Sequence, residues 1–393
     1  MINRSFQPDP EYPYILDCLS ALLDGQVFPR VSAGLNWDPL LADLARHRLV
    51  GLFAAHVQRS QVAWPAAFTE RLRRERILAL LNGNAFAEDL SRILAALRAA
   101  GLAVIVLKGW ALIPTLYHND PSQRTFSDAD LLIPLAAADQ GERVLRDQGY
   151  DACDETWPGF CRRYDIHLHL SKSQPVSPIH QRFPNELHWG LMHIPFLNQR
   201  IDLAGLFQRA VPLQIQGQAA FALAPEDHLV YTCAHLLHHR QAFVLSRWFE
   251  LACWLRQHEG QLDWQAVLER AQQWRLGMGI QYAFTTLETL WPGILPAGIF
   301  DKVRSLRAGF IERAIHHLEE TGSPVLRTLV VLATLPFTKK VGYLFQSLFP
   351  NPHYLHKRYG PAPMGFWPLL YFQRAGRVWG YVVRLLARRK PIA

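Results

Sequence analysis

The sequence predicts an α/β protein in which a small mixed sheet with helices is flanked by N-terminal helices and a C-terminal helical domain. Two observations support this: a strand, helix, strand, helix succession between residues 102 and 148, and helical spacing of apolar residues on both sides of it. Half of the 393 residues are apolar and 19% are charged, as in a globular chain of two or three packed units.

Four segments follow from this pattern. We predict an N-terminal helical layer, a mixed α/β core, a helical domain, and a proline-rich break followed by a basic amphipathic tail; their bounds are 1–99, 100–210, 211–350 and 351–393. A helix of this domain should begin at Pro225, because proline at the first helical position needs no amide partner. Glu226 and Asp227 would then face the positive end of the helix.

The core elements are predicted from short apolar runs. Residues 102–107 are continuously apolar and β-branched after Gly101, which is typical of a buried strand. Residues 110–117 and 136–148 have helical spacing, and residues 128–133 form the second strand. Two later alternating segments, 164–170 and 186–191, could supply further strands.

The most informative pair of residues is Asp128 and Asp130. Residues two apart in a strand point to the same face, so both carboxylates should project together while Ala129 faces the other way. Hard oxygen ligands on a strand suit Mg²⁺, and one or two such ions are possible here. An Asp-x-Asp pattern also occurs in solvated loops. Here the pattern begins an apolar strand, and this position favours a metal site over a loop.

Three further residues precede this pair. Lys108 and Gly109 lie at the junction between the first strand and a helix, where backbone amides can approach a triphosphate. Arg124 lies four residues before Asp128. Lys108 or Arg124 could neutralise phosphate charge, although an ordinary ion pair with a nearby carboxylate is the alternative for each.

These residues resemble the DNA polymerase β-like nucleotidyltransferases. The shared pattern is a strand, a glycine-containing turn, a helix and an Asp-x-Asp on the next strand. A bacterial family of uncharacterised nucleotidyltransferases is closer still, with a similar Leu-Lys-Gly, a downstream arginine and Asp-x-Asp-Leu-Leu. Further segments of that likeness are Glu186 to Trp189, Pro225 to His228, His235 to His239, and Arg247-Trp248.

The resemblance implies a polymerase β-like core and a Mg²⁺-dependent transfer of a nucleoside monophosphate, most readily AMP, from an NTP to a hydroxyl. It also implies a third carboxylate from a later strand, for which Glu186 is the first choice and Asp165 the rival. Glu186 would act as a metal ligand or a general base. One departure concerns phosphate binding: Trp110 follows Gly109 where better characterised members have serine or glycine.

The histidines after residue 234 and Arg247 are interpreted as structural or cleft-lining residues. His235, His238 and His239 lie in a helical stretch without the glutamate of a His-Glu-x-x-His motif, so a cleft or packing role is favoured over zinc binding. Arg247 is expected to belong to a core ion pair. A second hypothesis for the whole chain is a catalytically weak accessory protein of a biosynthetic or toxin–antitoxin system that keeps the fold.

The charge distribution argues against nucleic acid as the acceptor. The formal charge is +8, and six basic residues among the last twenty account for most of it, which leaves about +2 elsewhere. A small molecule or peptide is therefore the expected acceptor. The tail, with Arg374, Arg377, Arg384 and Arg388 on one helical stripe, could contact an acidic partner or a membrane surface, or dock its apolar face on the protein.

The expected location is the cytoplasm. The five cysteines are odd in number and show no Cys-x-x-Cys spacing, and the N-terminus shows no secretory signal. No apolar run is long enough to span a membrane.

Overall fold

A computed structural model gives the architecture of the chain. It describes residues 11–31, 34–57, 60, 62–153, 155–172, 176, 183–320, 324–360 and 368–387. Within these residues a seven-stranded mixed sheet has the order β3-β4-β5-β2-β1-β7-β6. The strands are β1 (Ile105–Leu107), β2 (Ala129–Leu132), β3 (Tyr150–Ala152), β4 (His167–Lys172), β5 (Asn185–His188), β6 (Val211–Ile215) and β7 (Gln218–Ala222).

Helices make up most of the remaining structure and surround the sheet. The N-terminal layer contains α1 (Tyr12–Leu23), α2 (Trp37–Arg46), α3 (Val50–Val57) and α4 (Ala66–Ala99). Between the strands lie α5 (Lys108–Leu116), α6 (Ala138–Asp147), α7 (Phe160–Tyr164), α8 (Pro195–Asn198) and α9 (Leu203–Arg209). The C-terminal helices are α10 (Pro225–His238), α11 (Leu245–Gln257), α12 (Trp264–Gln273), α13 (Gly277–Leu290), α14 (Ile299–Arg304), α15 (Phe310–Glu320), α16 (Pro324–Thr334), α17 (Phe337–Leu348), α18 (Pro352–Tyr359) and α19 (Pro368–Ala387).

This arrangement confirms the predicted mixed α/β class. The strands expected at 102–107 and 128–133 are present but shorter, as β1 and β2. The predicted start of a helix at Pro225 is confirmed, with both acids in the first turn of α10. Paired registers place β2 antiparallel to β1 and parallel to β5, so β2 lies in the middle of the sheet.

A hairpin extends the sheet beyond the boundary predicted at residue 210. Strands β6 and β7 pair antiparallel, and β7 joins β1 in parallel. Their two-residue turn, Gln216-Gly217, has positive φ at both positions (49° and 74°), which matches the twist of a tight hairpin. Without an Asn-Gly or Asp-Gly signal, this turn was not recognised from the sequence. Pro212 lies in the edge strand β6.

A buried carboxylate attaches the N-terminal helical layer to the sheet. Asp89 of α4 is fully buried and accepts hydrogen bonds from Tyr150 of β3 and Lys172 of β4. Arg92 Nη2 contacts the same carboxylate at 2.9 Å. A buried carboxylate is stable only when its charge is compensated and its oxygens are hydrogen-bonded, so these contacts fix how α4 lies across the sheet.

The C-terminal helix α19 is docked through its first two turns. Leu370 is buried against Leu355 of α18, and the Tyr371 hydroxyl donates to the Pro350 carbonyl at 2.6 Å. Arg374 Nη2 donates to the Ser347 carbonyl at 2.7 Å. Farther along, Trp379 is exposed, so the predicted docking of the apolar face does not extend to this residue. None of the described helices combines the length and apolarity needed to cross a membrane.

Candidate active site

A cleft of about 360 Å³ lies between the sheet and the helices α10 and α11. All six residues singled out from the sequence lie on its wall: Lys108, Gly109, Arg124, Asp128, Asp130 and Glu186. Other residues that line this central cleft are Arg48, Leu112, Ser127, His169, His193, His228, Tyr231, Thr232, His235, Leu236, His238, His239, Arg247, Glu250 and Leu251. Asp165, the rival to Glu186, is not among the lining residues.

Adjacent strands bring the carboxylates together. Asp130 of β2 lies directly opposite Glu186 of β5 in the parallel register, so their side chains share one face of the sheet. Asp128 immediately precedes β2 and points into the same cleft. Burial, followed by the nearby charge of Asp130, raises the pKa of the Asp128 carboxyl. The site therefore concentrates negative charge that favours a cation.

Lys108 supplies part of the compensating positive charge. Its Nζ lies 2.6 Å from Asp130 Oδ1, which is the ion pair expected as the alternative to phosphate contact. Burial alone would lower the pKa of Lys108, but nearby Tyr231 and Asp130 raise it, so the amine stays charged. Its φ of 52° lies in the left-handed region, which costs a non-glycine residue roughly 1 kcal/mol. This backbone conformation occurs where β1 becomes α5.

Two histidines hold Glu186 in place. Its Oε1 lies 3.0 Å from His169 Nδ1, and its Oε2 lies 3.1 Å from His188 Nε2. Burial disfavours the charged carboxylate, yet the hydrogen bonds from His169 and His188 outweigh burial and lower the pKa of Glu186. His188 also lies 3.0 Å from Asp130 Oδ1. A carboxylate with a lowered pKa is a weak base, so this environment favours a ligand role over proton abstraction.

The raised pKa of His188 completes this charge balance. Burial disfavours a charged ring, but the contacts with Asp130 and Glu186 raise the pKa of His188 above its ordinary value. The expected shared strand face of Glu186 and His188 is present, since both belong to β5 and both reach the same carboxylate cluster. His188 thus links Asp130 and Glu186 beneath the cleft.

Gly109 makes room for an arginine. A Cβ at this position would overlap the guanidinium of Arg124. The guanidinium therefore fills the space that a phosphate-binding glycine turn would offer. Arg124 Nε donates to Glu250 Oε1 at 2.7 Å, and the Tyr117 hydroxyl donates to the same oxygen at 2.8 Å. Glu250 belongs to α11, so this ion pair joins the core to the helical domain across the cleft.

Trp110 occupies the position after Gly109 where serine or glycine was the expected phosphate-binding residue. The indole Nε1 donates to the backbone carbonyl of Asp128 at 3.1 Å, and the ring stacks on Phe126 with 4.0 Å between centroids. Trp110 is buried and does not line the central cleft. Its role in the structure is to fix the loop that carries Asp128, which leaves phosphate contact to other residues.

Two arginines of the cleft were not predicted as site residues. Arg247 was expected in a core ion pair, but within the described part of the chain neither Arg247 nor Arg48 forms one. A buried terminal nitrogen of Arg247, Nη1, has no hydrogen-bond partner there. Burial, followed by the charges of Arg48 and Arg124, lowers the pKa of Arg247. Arg48 and Arg247 thus add positive charge beside the Arg124–Glu250 ion pair, and this local concentration of guanidinium groups favours a polyanion.

The histidines of α10 also line the cleft. Burial, with the charge of Lys108 next, lowers the pKa of His235 well below its ordinary value. Burial and nearby His238 lower the pKa of His239 to about 3. Both rings line the cleft wall, and their cleft or packing role stays a prediction. Among the described residues, the groups that could hold a metal ion do not include these histidines.

Mg²⁺ prefers hard oxygen donors, and three carboxylates line the cleft. Asp130 and Glu186 have donor atoms within 4.8 Å of each other and of His188, whereas Asp128 lies outside that group among the described residues. Burial, followed by the charge of Asp130, raises the pKa of the Asp128 carboxyl, and a cation beside it would favour the ionised form. The oxygen donors on this wall of the cleft therefore fit Mg²⁺.

Comparison of the sequence with models of known protein families gives a match to one family. The model of a family described as uncharacterised nucleotidyltransferase matches residues 33–292, which include every strand and every residue that lines the central cleft. Comparison with curated proteins gives no match. The likeness to uncharacterised nucleotidyltransferases drawn from the sequence motifs is thereby confirmed.

The close contact at Gly109 generates a prediction about stability. Gly109→Ala should displace the Arg124 guanidinium from Glu250 and lower the free energy of unfolding by about 1–3 kcal/mol, measured by urea denaturation. Gly376→Ala is the matched control, because a Cβ there meets open space within helix α19. That control should be neutral or slightly stabilising. Equal stability of Gly109→Ala and the parent chain would contradict the packing role.

Proposed function

This chain belongs to the uncharacterised nucleotidyltransferase family and is a nucleotidyl-transferring enzyme, and we propose that it moves AMP from ATP to a hydroxyl group. The acceptor hydroxyl would attack the α-phosphorus, and pyrophosphate would leave. The observation that carries this proposal is the alignment of Asp130 with Glu186 on adjacent strands, beside Asp128 and opposite a patch of arginines.

The acidic cluster would hold the metal. We assign Asp128 and Asp130 as Mg²⁺ ligands, with Glu186 as the third carboxylate. The ion, when bound, would supply Lewis-acid polarisation of the phosphate oxygens. Glu186 suits a ligand better than a base because two histidines stabilise its charged form. Asp165 fits the role less well, since it precedes β4 and does not line the cleft.

Positive side chains would hold the triphosphate. Lys108 pairs with Asp130 and lies at the start of α5, where its ammonium can turn towards an α-phosphate. Arg48 and Arg247 have guanidinium groups without carboxylate partners in the described residues, so they can bind the outer phosphates. Arg124 is held by Glu250, and we propose that it contributes charge to this patch through a fixed position.

The acceptor is proposed to be a small molecule or a peptide. Outside the tail the chain carries about +2 of its formal charge of +8, which is too little for a nucleic-acid surface. Neutral His235, His239 and the side chain of Thr232 line the other part of the cleft and offer hydrogen-bonding groups for an uncharged hydroxyl compound.

Charge-removing variants test the assignment of the acidic residues. Asp128→Asn and Asp130→Asn each remove one negative ligand at nearly constant volume, so each should abolish Mg²⁺-dependent ATP binding and pyrophosphate release without unfolding the chain. Calorimetry measures the binding of each of the four NTPs. Turnover is measured as pyrophosphate release in the presence of a panel of hydroxyl compounds. Asp151→Asn, at an exposed residue of β3, is the control. Unchanged Mg²⁺ and ATP affinity in both variants would exclude the assignment.

The unpaired arginine gives a second test. Arg247→Gln removes a charge-assisted phosphate contact worth about 1.5–3 kcal/mol, so ATP affinity should fall roughly 10- to 100-fold. The free energy of unfolding should stay equal or rise, because the variant loses a cation that lacks a partner in the described chain. Arg256→Gln, in the same helix and partly exposed, should change neither property. Loss of stability with unchanged ATP affinity would show a structural role.

The C-terminal helices expose aromatic and basic side chains. We propose that these helices bind an anionic membrane surface that faces the cytoplasm. An apolar stripe on α17, made by Phe337, Val341 and Phe345, is exposed beside Lys339 and Lys340. On α19, Phe372 and Trp379 are also exposed, in a segment with no acidic residue. Exposed aromatic residues combined with basic charge favour the membrane interface over a purely acidic partner.

Truncation separates docking from membrane contact. A chain ending at Pro363 loses the contacts of Leu370 and Tyr371, so its melting temperature should fall. In the full-length chain, Phe372→Ser combined with Trp379→Ser changes only exposed side chains, so it should keep the melting temperature and weaken salt-sensitive sedimentation with phosphatidylserine vesicles. An unchanged melting temperature after truncation would exclude docking, and unchanged sedimentation of the double variant would exclude this membrane contact.

A further inference from the structure

Two histidines and an aspartate meet beside the acidic cluster. Asp165 lies two residues before His167, the first residue of β4, and His193 follows β5 and lines the central cleft. One donor atom from each of the three residues lies within 4.8 Å of the others. His167 Nδ1 is 3.7 Å from Asp165 Oδ1, close to the ~3.3 Å edge of a tetrahedral site with ~2.0 Å bonds.

The ring of His167 is prepared to bind a metal through Nδ1. His167 is 4% exposed, and its Nδ1 has no hydrogen-bond partner in the described residues. His167 Nε2 lies 2.7 Å from His169 Nε2, and His169 Nδ1 lies 3.0 Å from Glu186 Oε1. Ionised Glu186 can only accept, so His169 donates from Nδ1, and in the single-proton tautomer that this contact selects, His169 accepts at Nε2. His167 then donates from Nε2, which leaves the lone pair on Nδ1.

We propose that Asp165, His167 and His193 form a site for a divalent transition-metal ion of the Zn²⁺ class, separate from the Mg²⁺ carboxylates. Two imidazoles and one carboxylate are a common ligand set for such ions, and imidazole nitrogen suits them better than Mg²⁺. Three protein ligands leave a coordination position open. Since His193 lines the cleft, that position is available to water or to a group of the acceptor.

Neighbouring groups support the ligand role of His167. Metal-binding histidines usually donate their other ring N–H to an acceptor that fixes the ring, and here His169 and Glu186 form that chain. The ring of His188 stacks on His167 with 5.0 Å between centroids. Asp130 Oδ1 and Glu186 Oε2 lie 3.0 and 3.1 Å from His188 Nε2, so two carboxylates face that ring.

The position of the site ties two parts of the cleft wall together. His167 begins β4 and Asp165 lies two residues before it, whereas His193 comes from the segment that follows β5. His193 also stacks on His238 of α10, with 4.9 Å between ring centroids. An ion held by these ligands would therefore stabilise the folded chain, and its binding should raise the melting temperature. This inference does not depend on nucleotide transfer.

Cobalt binding tests the proposal directly. The full-length chain, without an affinity tag and treated with a chelator, is titrated with Co²⁺ and followed by visible absorption. One Co²⁺ per chain should bind with the bands of a four- or five-coordinate ion, and Zn²⁺ should displace it and raise the melting temperature. His167→Gln and His193→Gln should each weaken binding more than ~10-fold, and His169→Gln by ~10- to 100-fold.

Two control variants locate the ion. Asp130→Asn should keep Co²⁺ binding while losing pyrophosphate release, which separates this site from the catalytic acids. His235→Gln, in the same cleft but outside the ligand set, should also keep it. If His167→Gln does not fold, His193→Gln carries the test, because that residue is only half-buried. Absence of stoichiometric Co²⁺, or its loss in Asp130→Asn with retention in His193→Gln, would overturn the proposal.

Discussion

Electrostatic repulsion between carboxylates is the constraint on which the rest of this structure depends. Asp128, Asp130 and Glu186 share one face of the central strands, where burial and the charge of Asp130 raise the pKa of Asp128. The fold places Lys108, the first residue of α5, and His188 of β5 in direct contact with Asp130. The left-handed backbone at Lys108 and the β2–β5 register therefore both bring compensating groups to these carboxylates.

A second ion pair converts this charged sheet face into a cleft. Arg124 reaches past Gly109 to Glu250 of α11, and Tyr117 contacts the same carboxylate. Breaking a buried pair by removing one partner typically costs about 3–5 kcal/mol, so the helical domain is attached at a defined position. The glycine of the Lys-Gly-Trp segment thus serves packing, and the tryptophan fixes the Asp128 loop. Phosphate binding falls to residues from other elements.

The sequence predicted those site residues that lie close together along the chain, because strand periodicity relates their side chains. The period of two in a strand placed Asp128 and Asp130 together, and the same rule paired Glu186 with His188. Contacts between distant segments had no such signal: Arg48 precedes α3, and His193 reaches the cleft from a loop after β5. Arg247 was interpreted as part of a core ion pair because sequence alone does not show which carboxylate, if any, lies beside it. The β6–β7 turn lacked the usual residues and was missed.

The two outer strands of the sheet limit how copies of this chain can associate. Pro212 in β6 has no amide hydrogen to offer a new strand, and β3, at the opposite edge, has only three residues. Exposed strand edges otherwise act as templates for intermolecular pairing and amyloid growth. Addition of a strand from another molecule is therefore disfavoured at both sides, and self-association at high concentration would have to proceed through helical surfaces.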